Sequence, residues 1–175
     1  MANVQLRTGN NEWATPEWLW RAIAAAFDGI ALDPCCNDGS TVEAAERWIG
    51  VDALALPWRR DGLIYVNPPY GDLRQGRWTT KVLVEKCNGA EIMLLVPSRT
   101  DAQWFHRLWV ECTAVCFIGG RLTFQGAPNP APFPSCLIYF GPRLHLFNML
   151  CAREELGIVS YGSRWGYVHA REATE

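Results

Sequence analysis

No apolar run in the 175-residue chain approaches the roughly 20 residues that a membrane span requires, so a soluble protein without membrane contact is expected. The first residues, Met1-Ala2-Asn3-Val4-Gln5-Leu6-Arg7, lack the apolar core of a secretory signal, and the protein is expected to stay in the cytoplasm where it is made. Neither sign of charge dominates: 16 Lys and Arg stand against 18 Asp and Glu, a net −2. A protein that holds DNA by phosphate neutralisation alone is usually basic, so any nucleic-acid contact must come from a local patch. None of the seven cysteines forms a Cys-x-x-Cys pair, and their number is odd. That argues against a disulfide scaffold and for reduced thiols in a core. The spacing of His106, Cys112 and Cys116 does not match the usual zinc knuckles, and no metal is expected. Charged residues are only 19% against 49% hydrophobic, which excludes intrinsic disorder. Repeats, low-complexity tracts and long linkers are absent as well. What remains is a single domain, residues 1–175, long enough to bury about 70% of the surface its unfolded chain exposes.

Periodicity divides the chain into alternating elements. Thr15 reads as a helix N-cap with Pro16 at the first helical position, and Leu19, Ile23 and Phe27 define one buried face. Residues 30–32 form a short apolar strand ending in Asp33-Pro34, followed by the loop Cys35-Cys36-Asn37-Asp38-Gly39-Ser40. A helix over 41–47 and a brief strand over 49–52 are expected next. Strands are predicted over 63–66, 91–96, 114–118 and 135–140, with helices over 78–87 and 101–109 and another over 144–156. Beyond residue 156 the pattern gives no clear element. Continuous apolar strands alternating with helices predict an α/β fold, a mainly parallel central sheet of Rossmann-like form with helices on both faces. The last two strands lack a helix between them and are expected to form an antiparallel edge.

Ligands of an open α/β sheet bind at the carboxyl ends of its strands. Three such ends carry polar or special residues: Asp33-Pro34, Asn67-Pro68-Pro69-Tyr70 and Pro97-Ser98-Arg99. Consecutive prolines fix the backbone and remove its N–H donors. Acceptors are left, the Asn67 side-chain oxygen and the Pro68 carbonyl, with the Tyr70 ring beside them. Acceptors next to an aromatic face suit a planar group bearing an exocyclic NH2. Once both hydrogens are bound, the nitrogen lone pair is less delocalised and can attack an electrophilic methyl group. Plainer readings exist for each residue: a strand terminator at Pro68-Pro69, a turn cap at Asp33, and a helix histidine satisfied by its neighbours at His106. Arg74, Arg77, Lys81, Arg99 and Arg121 flank the crevice and are candidate DNA-phosphate contacts. Trp78 is a candidate wedge into a base stack, and the loop 125–130 reads equally as a lid or a connector.

The tetrapeptide after a hydrophobic strand resembles the motif of S-adenosylmethionine-dependent amino-methyltransferases. Further segments stand in order around it. They are Glu12-Trp13-Ala14-Thr15-Pro16, Leu32-Asp33-Pro34-Cys35, Val66-Asn67-Pro68-Pro69-Tyr70-Gly71, Leu95-Val96-Pro97 with Trp104-Phe105-His106, and Gly120-Arg121-Leu122-Thr123-Phe124 before Pro134-Ser135. With them, the chain resembles the phage and prophage Dam-type DNA adenine methyltransferases over residues 11–140. Residues 141–175 are then a C-terminal extension.

The resemblance implies transfer of a methyl group from S-adenosylmethionine to the N-6 amine of adenine in double-stranded DNA. The target base would be flipped out of the duplex and its amine would attack the methyl carbon in line, displacing the thioether of the donor. Asn67, Pro68, Pro69 and Tyr70 would hold and orient the adenine. Thr15, Pro16, Asp33, Pro34, Cys35 and Asn67 would line the donor pocket, with Asp52 a partner for its ribose or adenine. Where many such enzymes carry a glycine-rich loop, this chain has Cys35-Cys36-Asn37-Asp38-Gly39, and a single glycine allows a less close backbone approach. Asn-Pro-Pro-Tyr by itself is shared by enzymes that methylate RNA guanine or protein glutamine. Those amines, cytosine N-4, and a non-catalytic nucleic-acid-binding module on the same fold are the alternatives. The short chain leads to the expectation of a brief or relaxed recognition sequence, or a homodimer that shares recognition.

Overall fold

The computed structural model describes residues 13–162. From its amino end the chain runs through α1 (Glu17–Ala26), β1 (Leu32–Asp33), β2 (Glu46–Arg47) and β3 (Leu63–Val66). A 3-10 segment (Tyr70–Gln75) leads into α2 (Arg77–Cys87), β4 (Glu91–Pro97) and α3 (Gln103–Glu111). Strands β5 (Ala114–Ile118) and β6 (Ser135–Phe140), helix α4 (Leu144–Arg153) and β7 (Gly157–Tyr161) complete it. Gly76, at φ +72, supplies the left-handed residue that ends the 3-10 turn and starts α2. No described helix is long and apolar enough to cross a membrane.

The seven strands among the described residues join one mixed sheet in the order β2-β1-β3-β4-β6-β5-β7. The pairings among β2, β1, β3 and β4 are parallel, while β4–β6, β6–β5 and β5–β7 are antiparallel. The expected antiparallel edge pair is therefore half of the sheet. Strand β6 inserts between β4 and β5, which keeps all six residues 135–140, five of them apolar, buried on both sides. Helices cover both faces. The Tyr139 ring of β6 stacks on Phe147 of α4 at 5.3 Å and meets Phe27, just past α1, at 5.5 Å. Phe117 of β5 instead meets Trp109 of α3 at 5.3 Å. Tyr139 pairs with Ala114, three residues from Phe117, so the alternation of a strand sends the two rings to opposite faces. The face of α1 carrying Leu19, Ile23 and Phe27 is buried, as its spacing predicts.

Several local expectations are corrected. Residues 41–47 form no helix. Backbone bonds from Ala45, Glu46 and Trp48 N–H to the carbonyls of Ile30, Ala31 and Asp33 draw this segment into the sheet beside β1. The strand expected over 49–52 is a turn, broken at Gly50 (φ +67), with Ile49 and Val51 exposed. Pro16, not Thr15, occupies the N-cap of α1, because Pro16 is itself extended (ψ 137) and its carbonyl accepts the first helical N–H groups, while the Thr15 hydroxyl is bonded to Tyr65. Helix α4 stops at Arg153, where Glu155 turns at φ +48 and Leu156 N–H bonds to Cys151 O. Gly157 then opens β7, where a Cβ would meet Phe117 O at 2.0 Å. Cys87 is exposed rather than in a core. The readings of residues 1–12 lie outside the described residues.

Candidate active site

Strands β1 and β3 pair in parallel with Leu32 opposite Ile64, so Asp33 and Asn67 leave the sheet at the same edge. A cavity of about 600 Å3 opens there. Its walls are residues 13–15 before α1, most of the loop 33–40, residues 48–54 after β2, and 67–69 after β3. Of the residues expected in a donor pocket, Thr15, Asp33, Pro34, Cys35, Asp52 and Asn67 line it. Pro16 is buried behind them as the cap of α1 and takes no part in the wall. Asp52 stands on a turn rather than at a strand end, its carboxylate accepting Leu54 N–H at 3.1 Å.

Asn67 is the best-defined group of the site. Its Nδ2 donates to Trp13 O at 2.5 Å and to Thr15 Oγ1 at 3.1 Å. A carbonyl can only accept, so the Trp13 bond fixes which end of the amide is nitrogen. The Oδ1 is left buried and without a partner among the described residues. Thr15 Oγ1 also lies 2.8 Å from Tyr65 Oη, which ties the segment before α1 to the middle of β3. Burial first, then the nearby Asp33 and Cys35, push the Tyr65 phenol well up, while its bond to Thr15 pulls the other way. Tyr65 therefore serves as a neutral strut. Trp13 O and Tyr65 are positioning groups that the motifs do not reveal, because one is a backbone atom and the other reads as an ordinary strand residue.

Asp33 is only 3% exposed. Its Oδ1 accepts Cys35 N–H at 3.0 Å. Burial pushes its carboxyl up to about 6, against the opposing pull of the Cys35 N–H and of Arg47. The Cys35 thiol is raised by burial and by Asp33, and so stays protonated. The glycine-poor loop is tied by side chains instead. Asn37 Oδ1 accepts Gly39 N–H at 3.0 Å, and Arg47 donates to Cys36 Sγ at 3.1 Å and to Ser40 O at 2.8 Å.

Asn67, Pro68 and Pro69 face this cavity, whereas Tyr70 faces a neighbouring one of about 370 Å3. The second cavity lies toward Pro97, Arg99, Gln103 and Trp104, so the third strand end expected in the crevice sits across the Asn-Pro-Pro-Tyr wall. The Tyr70 ring is mostly buried against Phe124 and Phe133, at 6.2 and 5.6 Å, and Trp13 meets the same two phenylalanines at 5.0 and 5.3 Å. The loop after β5 thus clasps Tyr70 rather than connecting strands idly. Its Gln125 also accepts from Thr41 and donates its N–H to Ala14 O. The Tyr70 hydroxyl is buried with no partner among the described residues, and burial pushes its phenol well up.

The candidate cations fare differently. Arg77 lines the rim of the large cavity and Arg74 the small one. Lys81 is outside both, bonded to Glu85 and to Leu56 O at 2.6 Å each, so its charge is already paired. Arg99 is held by Asp101 at 3.0 Å, and Arg121 donates to Ala131 O at 3.4 Å. His106 Nε2 meets Thr100 O at 2.6 Å. Trp78 is buried against Trp58 at 6.0 Å and forms a cavity wall, which leaves no free ring to wedge between bases.

No curated protein and no solved structure is significantly similar to the chain. The model of the DNA N-6-adenine-methyltransferase (Dam) family matches residues 4–135, or 132 of the 175, and that stretch contains the loop 33–40, Asn67 to Tyr70 and the clasping loop after β5. The chain belongs to the Dam family of DNA N-6-adenine methyltransferases.

Proposed function

We propose that the protein transfers a methyl group from S-adenosylmethionine to the N-6 amine of a flipped-out adenine in double-stranded DNA, on a Rossmann-like sheet. The observation that carries this reading is the Asn67 amide. Both its N–H groups are engaged by Trp13 O and Thr15 Oγ1, while Oδ1 is held in place with nothing to accept from. A buried acceptor without a donor is costly unless a ligand supplies one. An exocyclic amine does so with one hydrogen, and the Pro68 carbonyl accepts the other. Pro69 carries no N–H that could compete for these oxygens.

The cavity beside Asn67 falls within the size range of small-molecule sites. Its buried Asp33 carboxyl and its wall of Thr15, Pro34, Cys35 and Asp52 suit a zwitterionic nucleoside such as S-adenosylmethionine. When bound, that donor supplies an electrophilic methyl group. Asp33 holds the cationic amino acid end, and Asp52 serves the ribose. The target base must leave the duplex, which costs a few kcal/mol. It would enter from the smaller cavity, where stacking on the uncovered part of the Tyr70 ring offsets about 1–3 kcal/mol, and reach Asn67 across the Asn-Pro-Pro-Tyr wall. Asn67 is an acceptor and not a base, so the amine loses its proton only after the nitrogen has been methylated. Positioning of the two reactants supplies most of the rate gain. A cytoplasmic setting and a short or dimer-shared recognition sequence fit the same reading.

The deciding measurement is transfer of labelled methyl groups into unmethylated duplex, followed by nucleoside analysis. Label in N-6-methyl-2′-deoxyadenosine is expected, and label in N-4-methyl-2′-deoxycytidine, RNA or peptide overturns the assignment. A second expectation concerns pH. Asp33 is protonated below about 6 and charged above it. Its hold on a cationic amino group is therefore present above pH 6 and weakens as the pH falls through that value. Calorimetric titration of the donor between pH 5 and 8 should show affinity dropping at the acid end for the wild type and a flat profile for Asp33→Asn. The sign for stability is opposite. The raised carboxyl favours the folded state when protonated, so its contribution declines as the pH rises from about 4 to 6.

A further inference from the structure

On the side of the molecule carrying α2 and α3, a separate groove of about 520 Å3 runs between the two helices. Arg77, Thr80, Lys81 and Val84 line it from α2 at intervals of three and four residues, hence from one face, and Arg107 lines it from α3. Arg107 Nη1 lies 3.9 Å from the position a Cβ on Gly76 would take, so its guanidinium rests over the first turn of α2. Lys81 is neutralised by Glu85 at 2.6 Å. Arg77 and Arg107 have no carboxylate and no hydrogen-bond partner among the described residues. The groove therefore carries two guanidinium groups, from different helices, that no carboxylate among the described residues pairs. Planar forks of this kind match phosphate oxygens, with Gln75 and the Thr80 hydroxyl as neutral donors beside them. The walls present charge and no aromatic ring, which suits a backbone phosphate and not a base. The groove shares Arg77 and Leu54 with the large cavity and so opens on the same rim.

We infer that this groove is a phosphodiester site, in which Arg77 and Arg107 grip the DNA backbone beside the target nucleotide. The inference rests on the DNA methyltransferase reading, which brings a duplex to that rim. Arg107 enters through it as a DNA-binding residue that the sequence motifs do not mark, and Lys81 drops out.

The test is duplex binding as a function of salt for the wild type, Arg107→Ala, Arg107→Lys and the remote surface variant Arg153→Ala. Arg107→Ala is expected to reduce the slope of log affinity against log salt by about one and to weaken binding to unrelated sequences alike. In methyl transfer the loss should fall on KM for DNA, several-fold, rather than on kcat. Arg107→Lys should restore most of the slope, and Arg153→Ala should leave it unchanged. Arg107→Gln, which keeps the aliphatic stem, replaces the alanine variant if that one melts early. An unaltered slope without Arg107 overturns the site, as does an equal loss in Arg153→Ala. Inorganic phosphate alone forms the second arm. If it stabilises the wild type and not the Arg107 variant while the DNA slope is unaffected, the groove serves a free phosphate and the DNA assignment is overturned. A wild type that binds duplex through Arg107 yet methylates no adenine refutes the methyltransferase reading and leaves the groove standing. A wild type that methylates adenine with a slope indifferent to Arg107 does the reverse.

Discussion

Replacing Asn67 with alanine is expected to lower kcat for methyl transfer by about two to three orders of magnitude, the loss typical of removing one preorganised polar group from a reaction centre. The argument is geometric. The Oδ1 is aimed by two bonds at the other end of the same amide, to Trp13 O at 2.5 Å and to Thr15 Oγ1 at 3.1 Å. Alanine removes the acceptor and, with it, the two bonds from Asn67 to the segment before α1, which stays tied through Tyr65 and Gln125. Asn67→Asp separates the two roles. It keeps acceptor oxygens but can no longer donate to Trp13 O, so it should recover part of the rate while donor affinity stays impaired. Single-turnover transfer into an oligonucleotide duplex, with circular dichroism to confirm the fold, measures both. Near wild-type turnover in Asn67→Ala would remove Asn67 from the chemistry and with it the proposed grip on the amine.

The largest effect on stability is expected from Trp58→Ala. Trp58 is fully buried, its Nε1 donates to Ala53 O at 2.7 Å, and its backbone N–H donates to Glu85 Oε2 at 3.1 Å. The ring packs on Trp78 at 6.0 Å, with Lys81 Nζ 5.5 Å from its centroid. Truncation leaves a cavity and an unsatisfied carbonyl, a loss of about 3–5 kcal/mol. For a chain of this size that lowers Tm by roughly 6–20 °C. Ala53 and Trp78 also line the large cavity, so donor affinity should fall in the same variant even at temperatures where it remains folded. Thermal unfolding together with donor titration checks the pair. A variant that melts like the wild type would show that the chain between β2 and β3 is anchored elsewhere.

Long apolar segments were legible from pattern. The runs that became β3, β4, β5 and β6 are continuous because helices cover both faces of the sheet, and such runs hardly admit another reading. Helix α1 declared itself by the spacing of Leu19, Ile23 and Phe27. Residues 41–52 misled for the opposite reason. Their local preferences are weak, and the backbone of β1 settled their conformation through bonds to Ile30, Ala31 and Asp33. Strand β7 was invisible because half-exposed residues 157–161 carry little pattern, and pairing with β5 makes the strand.

The chemistry divides along the same line. Asn67-Pro68-Pro69-Tyr70 specifies by itself a stiff turn rich in acceptors, since proline has no N–H and fixes its own backbone in any context. Covalent structure suffices for that. Which acceptor stays free, that Asn67 and Tyr70 face different cavities, and which arginines keep an unpaired charge depend on groups far apart in the chain. Trp13 meets Asn67 across 54 positions, and Arg107 reaches Gly76 from another helix. Hydrogen bonds and charges act through space, so only the folded arrangement could decide them.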